Sequence, residues 1–394
     1  MNSAPDKRLA IFASFSGQGG VERMLVHLIQ GFCEQGFAVD LLLVRANSAA
    51  LAQLPAEVRR IRLGPHHTWL ATVALARWLR RERPPVLLAV KDRAGRAAVM
   101  ARALARSETR LVLRLGTNLS AALSGRGLLQ RWLRQRPIRL LYPAIERIVA
   151  VSEGVAEDTA RSARVSRSRI SVIRNPVITP ELAEHAAAPC PHPWLRARTS
   201  TPTLIGAGRL QRQKDFPTLL RAFSVVRRQR PCRLIIIGEG RGRDALEALA
   251  QSLGLRLGAD GDLDLPGFQA NPYCWLARAD LFVLSSAWEG SPNVLTEALA
   301  LGIPAVATDC PSGPRELLAD GRFGPLVPVG DSEALAAAIL QTLAAPLPAS
   351  VLQQAVADYT QAASASAYLH ALGLETRPCA AGILAPSEGD PEPG

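Results

Sequence analysis

TLIGAGRLQRQKDFPTLLRAFSVVRRQRPCRLIIIG, residues 203–238, sets an amphipathic stretch between two apolar ones. The flanking runs, TLIGAGRL (203–210) and RLIIIG (233–238), are largely apolar on both faces, as strands of a parallel sheet are when helices cover it. Between them, Phe216–Arg228 repeats its apolar residues at the helical period. Strand, helix, strand is the unit from which doubly wound α/β sheets are built. The alternation extends outward in both directions. Upstream lie LAIFASF (9–15), FAVDLLLV (37–44), VLLAV (86–90), RLVLRL (110–115) and RIVAVS (147–152). Downstream lie LFVLSS (281–286) and IPAVAT (303–308), and Glu22–Glu34 and Asp244–Leu253 read as helices.

With 394 residues the chain exceeds one ordinary core. It breaks near residues 178–202, where ITPELAEHAAAPCPHPWLRARTSTP has no sustained period. The expected organisation is an N-terminal Rossmann-like domain over 1–178, a linker over 179–202 and a C-terminal Rossmann-like domain over 203–345. C-terminal helices follow over 346–375, then a disordered tail over 376–394. Two such domains face a central cleft, and ligands of doubly wound sheets bind beyond the C-terminal strand ends.

Composition narrows the function. Aromatic residues make up 5%, too few for a base-stacking nucleic-acid module. Neither a signal peptide nor an apolar run of roughly 18–20 residues is present, so the expected location is the cytoplasm. Six scattered cysteines form no C-x-x-C, the histidines form no H-E-x-x-H, and no metal site is expected. Net charge is +12, yet Arg77–Arg139 alone holds 16 basic residues against three acidic ones. Such a local field suits an anionic partner: a membrane surface, a nucleic acid or a phosphorylated acceptor. A merely solvated basic face is the plainer reading.

Three strand-to-helix loops carry candidate chemistry. The first, SGQGGVE (16–22), removes side chains at Gly17, Gly19 and Gly20 ahead of a helix N-terminus, which suits an anion or simply a tight turn. It is not G-x-G-x-x-G, and Asp40 lies early in its strand, so dinucleotide binding is disfavoured. The second, GAGRLQRQKDF (206–216), places Arg209 and Lys214 where two cations can neutralise a diphosphate. The third, WEGSPNVLTEALA (288–300), opens a helix, with Ser291 expected as N-cap and Pro292 at the first helical position. Backbone N–H groups over Ser291–Val294 then form a phosphate seat. Glu289 stands at the mouth and Glu297 about two turns inside, each able to accept from sugar hydroxyls or to serve as a cap or solvated side chain. Asp262-Leu263-Asp264 is formally D-x-D but leads straight into LPGF, as a strand approach.

These stretches together resemble the nucleotide-sugar domain of a GT-B glycosyltransferase of family 4. GAGRLQRQKDFPTLLRAF, LIIIGEGRGRDALEALA, the run from LPGF through PRELL, and GPLVPVGD occur in the family's order over about residues 201–345. FSGQGGVERMLVHLIQGF, AVSEGVAEDTA and ISVIRNPV extend the likeness into the first half. The resemblance implies that Arg209 and Lys214 bind the donor diphosphate, Glu297 the ribose and Glu289 the donor sugar. It places Gly290, Ser291, Pro292, Asn293 and Val294 near phosphate. Gly238, Glu239, Gly240, Pro266, Gly267 and Phe268 would line the base pocket, and Gly19 and Gly20 would face the cleft. It also implies metal-free transfer from a nucleotide sugar to a glycan or lipid-linked acceptor, with retention at the anomeric carbon and the leaving phosphate taking the acceptor proton. Bacterial cell-envelope polysaccharide or lipopolysaccharide synthesis is the expected setting, without nucleic acid as partner.

One departure stands out. Family members often carry a histidine after the strand that here reads RLGTNLS (114–120), leaving Thr117 or Asn118 as the sugar contact. That motivates an alternative, a catalytically silent GT-B scaffold that binds a nucleotide sugar or glycan. An epimerase or a phosphorylase on the same architecture is a third reading. The basic segment, with Arg131, Trp132, Arg134 and Arg136 beside Leu128 and Leu129, resembles an amphipathic stretch that docks on the inner membrane.

Overall fold

The computed structural model describes residues 7–15, 20–64, 68–120, 127–196 and 199–374. The first half runs β1 (Arg8–Phe15), α1 (Gly20–Glu34), β2 (Ala38–Ala46), β3 (Arg59–Arg62), α2 (Thr68–Glu82), β4 (Val86–Val90), α3 (Asp92–Ala105), β5 (Arg110–Leu115), α4 (Leu128–Leu141), β6 (Arg147–Ala150), α5 (Glu153–Ala163) and β7 (Ile170–Val172). Two short helices follow, α6 (Leu182–Ala187) and α7 (Pro193–Arg196). The second half runs β8 (Thr203–Ala207), α8 (Phe216–Gln229), β9 (Arg233–Ile237), α9 (Arg243–Ser252), β10 (Leu263–Gly267), α10 (Tyr273–Leu276), β11 (Leu281–Leu284), α11 (Asn293–Ala300), β12 (Ala305–Thr308), α12 (Pro314–Leu317) and β13 (Leu326–Val327). It ends with α13 (Ser332–Ala344), α14 (Ala349–Gln354) and α15 (Gln361–Leu372).

Two parallel sheets result, ordered β3-β2-β1-β4-β5-β6-β7 and β10-β9-β8-β11-β12-β13. In each, strand order reverses beside the first strand, at β1/β4 and β8/β11, which opens a crevice at the C-terminal strand ends. Side chains alternate between two apolar layers. Ala10 and Phe12 of β1 enter one cluster, and Leu9, Ile11 and Ala13 the other. Residues 204–207 and 234–237 divide in the same way.

Three strands were not expected from sequence, β3, β7 and β13, and a fourth, β10, was read only as an approach through Asp262-Leu263-Asp264. All four are sheet edges. An edge strand has no neighbour on one side and need not be apolar throughout, so RRIR forms β3 and a Pro-Gly pair ends β10. Asp40 is the third residue of β2 and lies buried between Arg8 and Arg59, which donate to it at 3.0 and 2.7 Å.

The stretch read as a linker is structured. Cys190, Trp194 and Leu195 join the second domain's core, and Leu182 and Ala186 pack with Tyr273. The final helices part company. Leu352 of α14 stays in the second domain's core. Helix α15 returns to the first, where Ala365, Tyr368, Leu369, Ala371 and Leu372 are buried with α1 and β1. Gly31 lets α1 approach closely, since a Cβ there would stand 2.8 Å from that of Ala365. Residues 375–394, including the expected disordered tail, lie outside the described residues.

Leu369→Ala should therefore destabilise the N-terminal domain by about 2–5 kcal/mol, a core rather than a tail effect. Denaturant unfolding of the full chain checks this, and a change within about 0.5 kcal/mol would place α15 outside the core.

Candidate active site

Three loops of the second sheet meet at its C-terminal edge. Gly208 (φ 149°) and Gly238 (φ 133°) stand back to back; a Cβ on Gly238 would lie 2.0 Å from the Gly208 carbonyl oxygen. Backbone bonds lace the loops together: Gly208 N–H donates to Ile237 O at 2.9 Å, Leu210 N–H to Glu239 O at 3.0 Å and Gly238 N–H to Gly267 O at 2.8 Å. Gly238, Glu239, Gly240 and Gly267 thus share one wall, beside Pro266 and a half-exposed Phe268. Glu239 is itself paired with Arg243 at 2.5 Å, and that guanidinium holds its carboxyl below the usual range.

Deeper in, Lys214 Nζ lies 2.7 Å from Glu289 Oε1, and Ser286 Oγ donates to the same oxygen at 2.7 Å. The loops carrying this pair are stitched twice more. Ser285 Oγ donates to Lys214 O at 2.8 Å, and Gln213 Nε2 to Trp288 O at 3.0 Å. Glu297 is buried on α11, and Arg23 Nη1 reaches to 3.7 Å from its Oε1. Burial pushes the Glu297 carboxyl up, while Arg23 and Lys214 pull it back. Lys91, at the end of β4, is lowered by burial, with Arg114 and Arg209 adding repulsion against the pull of Glu22. Arg209 is thus close enough to act on a cation of the opposite domain.

The start of α11 differs from expectation. Pro292 (φ −78°, ψ 87°) holds the N-cap position, and its carbonyl accepts from Leu295 and Thr296 at 2.9 and 3.2 Å. Ser291 lies outside the helix without a capping bond, Asn293 is the first helical residue, and Glu297 sits about one turn in rather than two. The N-cap position is thus taken by a residue with no side-chain acceptor, and Ser291 stands one residue before it. Asn293 instead spans the domains: its Oδ1 accepts from Asn175 Nδ2 at 2.7 Å, and its Nδ2 points to the Gly20 carbonyl at 3.5 Å. Val294 follows, half-buried.

The opposing wall comes from the first domain. Gly290 rests on residue 116, and a Cβ there would fall 2.0 Å from the Gly116 carbonyl oxygen. Asn118 is buried and accepts from Ser312 Oγ at 2.9 Å, whereas Thr117 is exposed. Buried Arg114 donates to Asn175 at 2.9 Å. Glu316 of α12 caps α5 across the gap, accepting from the N–H groups of Glu153 and Gly154 at 2.9 Å each and pairing with Arg174 at 2.8 Å. Gly19 lies outside the described residues. Sequence reasoning missed Arg23, Asn175 and Glu316, although all three sit inside quoted stretches, GGVER, IRNPV and PRELL.

Sequence and structure comparisons show which proteins the chain resembles. Residues 201–345 match the family described as Glycosyl transferases group 1, and residues 18–180 match Glycosyltransferase Family 4. The lipopolysaccharide core biosynthesis glycosyltransferase LpsE of Rhizobium meliloti is 30% identical over 341 residues, 84% of this chain and 87% of that protein. The chain belongs to glycosyltransferase family 4. It is a transferase enzyme with the GT-B fold. An N-acetylgalactosaminyltransferase of Campylobacter jejuni acting on an undecaprenol diphosphate-linked glycan is 32% identical over 198 residues. That match spans 50% of this chain and only 51% of that protein. Among solved structures, apo galactosyltransferase WaaB aligns with a TM-score of 0.70 and Anabaena HepE with UDP and glucose with 0.74. They are 19% and 18% identical, and each alignment covers 93% of this chain and 99% of the other.

The two carboxylates of D-x-D are engaged within the second domain of this family 4 chain. Asp262 pairs with Arg227 and Arg256 at 2.9 and 3.2 Å, and Asp264 Oδ2 lies 2.9 Å from His192 Nε2. The bond to Arg256 leads in holding the Asp262 carboxyl down at about 2. A carboxyl lowered on folding stabilises above its unfolded pKa and loses that contribution as pH falls through the folded one. Wild type should therefore be more stable than Asp262→Asn at neutral pH, the gap closing between about pH 4 and about pH 2. Unfolding of both proteins across that window measures it, and a gap independent of pH would rule out the ion pairs as its source.

Proposed function

We propose that this glycosyltransferase moves a sugar from a nucleotide-sugar donor to a glycan or lipid-linked acceptor with retention of anomeric configuration, in cell-envelope polysaccharide or lipopolysaccharide synthesis. The observation that carries the reading is the Lys214–Glu289 pair, buried between glycine-tight loops at the strand ends. In this reading Lys214 and Arg209 bind the diphosphate and stabilise the charge that grows on it as the anomeric C–O bond breaks. Glu289 and Glu297 accept from sugar and ribose hydroxyls. The acceptor oxygen bonds to the anomeric carbon from the same face, and its proton passes to the departing phosphate oxygen, so no protein nucleophile is needed. Asn118 or Thr117 would take the place of the histidine common in relatives. Support comes from relatives: LpsE, named for lipopolysaccharide core synthesis, and a lipopolysaccharide 1,6-galactosyltransferase of Escherichia coli, 29% identical over 188 residues.

The basic face belongs to the same reading. On α4, Trp132, Leu133 and Leu140 are exposed beside Arg134 and Arg136, with Arg136 stacked 4.4 Å from the Trp132 ring centre. The side chains of Leu128, Leu129 and Arg131 lie outside the described residues. An anionic membrane surface is the partner this face suits. No helix of the described residues is long and apolar enough to cross a membrane.

A thermal-shift screen against UDP, GDP, ADP and their sugars tests the donor site. At about 100 times its dissociation constant, a ligand stabilises the fold by about 2.7 kcal/mol. One base should give a shift that Arg209→Ala loses, and no shift with any nucleotide would sink the donor reading. Turnover lost in Glu289→Ala would exclude the silent-scaffold alternative. Co-sedimentation with anionic but not zwitterionic vesicles, weakened by salt and by Trp132→Ala with Leu133→Ala, is expected of α4. Binding to both vesicle types alike would contradict membrane docking through charge.

A further inference from the structure

Glu297 has an unusual electrostatic setting. It is a buried carboxylate, and such a group needs a compensating partner. The charged and titratable groups that face it are Arg23 from α1, Lys214 from the loop before α8, and Tyr273 of α10. Lys214 is committed elsewhere, 2.7 Å from Glu289. Lys214 still acts on Glu297 from a distance, but among the described residues Arg23 is the cation paired with it, at 3.7 Å, and it comes from the opposite domain.

Arg23 is held in that place. Its guanidinium lies 5.6 Å from the centre of the Tyr273 ring, which buries one face of the cation. The Tyr273 ring in turn stacks on His185, with centroids 6.0 Å apart and planes 7° from parallel. One turn along α1, His27 Nδ1 is 3.0 Å from the Pro176 carbonyl oxygen, which ties the helix to the crossover between domains. Beyond His27 stand Glu181 and His185. The side chain of Arg23 is 28% exposed, so water reaches it from the cleft.

We propose that Arg23 is a positioning residue for the donor: reaching across from α1, it holds Glu297 as an aimed carboxylate, so that the ribose contact is complete only when both domains face the cleft. The proposal rests on the reading that Glu297 holds the donor ribose. Two vicinal hydroxyls donate, and only the ionised carboxylate offers acceptors to both with no proton of its own in the way. Burial works against that state, and Arg23 opposes burial. Arg23 need not touch the nucleotide.

Calorimetric titration of the full chain with UDP and with GDP, from about pH 6 to about pH 9, tests this in wild type, Arg23→Gln, Arg23→Lys, Glu297→Gln and the double variant Arg23→Gln/Glu297→Gln. Without Arg23 the Glu297 carboxyl rises further, so the affinity lost by Arg23→Gln should be greatest at the low end of this pH range and should shrink as pH rises. Taking each variant as a ratio to wild type removes the titration of the nucleotide, and the Glu297→Gln background separates that of His27, on which the Arg23 charge also acts. Arg23→Lys, which keeps the charge, should recover most of the affinity. Adding Arg23→Gln to Glu297→Gln should cost nothing further. A loss equal at every pH, or one that persists in the Glu297→Gln background, would overturn the role. If wild type binds neither UDP nor GDP, ADP takes their place in the same titrations, and if it binds none of the three the donor reading fails and takes this one with it.

Discussion

An ammonium and a carboxylate 2.7 Å apart, Lys214 and Glu289, join the loop after β8 to the loop after β11. These strands are neighbours, so the pair bridges the point where the second sheet reverses its strand order. Neither side chain has much access to water, 17% and 8% exposed, and removing one leaves the other uncompensated at about 3–5 kcal/mol. The serine on Glu289, the Ser285 bond to the Lys214 carbonyl and the Gln213 bond to the Trp288 carbonyl all fix the same two loops. A site so braced keeps its charges in place before any ligand arrives, which is how preorganised groups stabilise charge that develops later.

The glycines make the bracing possible. Gly208 and Gly238 occupy backbone conformations that a side chain would strain, and they touch where a Cβ cannot go. Gly290 does the same between domains, against the Gly116 carbonyl. Around that contact the polar crossings gather: Asn175 to Asn293, Ser312 to Asn118, and Glu316 to the start of α5. The cleft is thus walled by both domains, and the return of α15 to the first domain joins the halves a second time.

Much of this was legible in the sequence, and what was not has a physical pattern. The central strands announce themselves because they are buried on both faces, as LIII in β9 and VLLAV in β4 are. The three strands that went unread, and β10 that was read only as an approach, are the four sheet edges, where arginines, a proline or a two-residue length are tolerated. Arg209, Lys214 and Glu289 stood out because they lie within single strand-to-helix connections, with Glu297 just beyond on α11, and the family resemblance assigned them their roles; the structure brings Lys214 and Glu289 together. The cap of α11 was misread because Ser291 and Pro292 obey the usual helix-start rule while Asn293 is used to reach the other domain. Arg23, Asn175 and Glu316 were invisible for a deeper reason: each acts on a residue more than a hundred positions away, and no local period encodes that distance.

In the proposed reading a nucleotide sugar occupies the cleft between both domains. Hydrogen exchange of the full chain with and without the nucleotide that binds tests it most directly. Slowed exchange is expected in three segments of the second domain, 208–214, 238–242 and 289–297, together with the start of α1 in the first. Slowing confined to the second domain, or lying away from these loops, would contradict it.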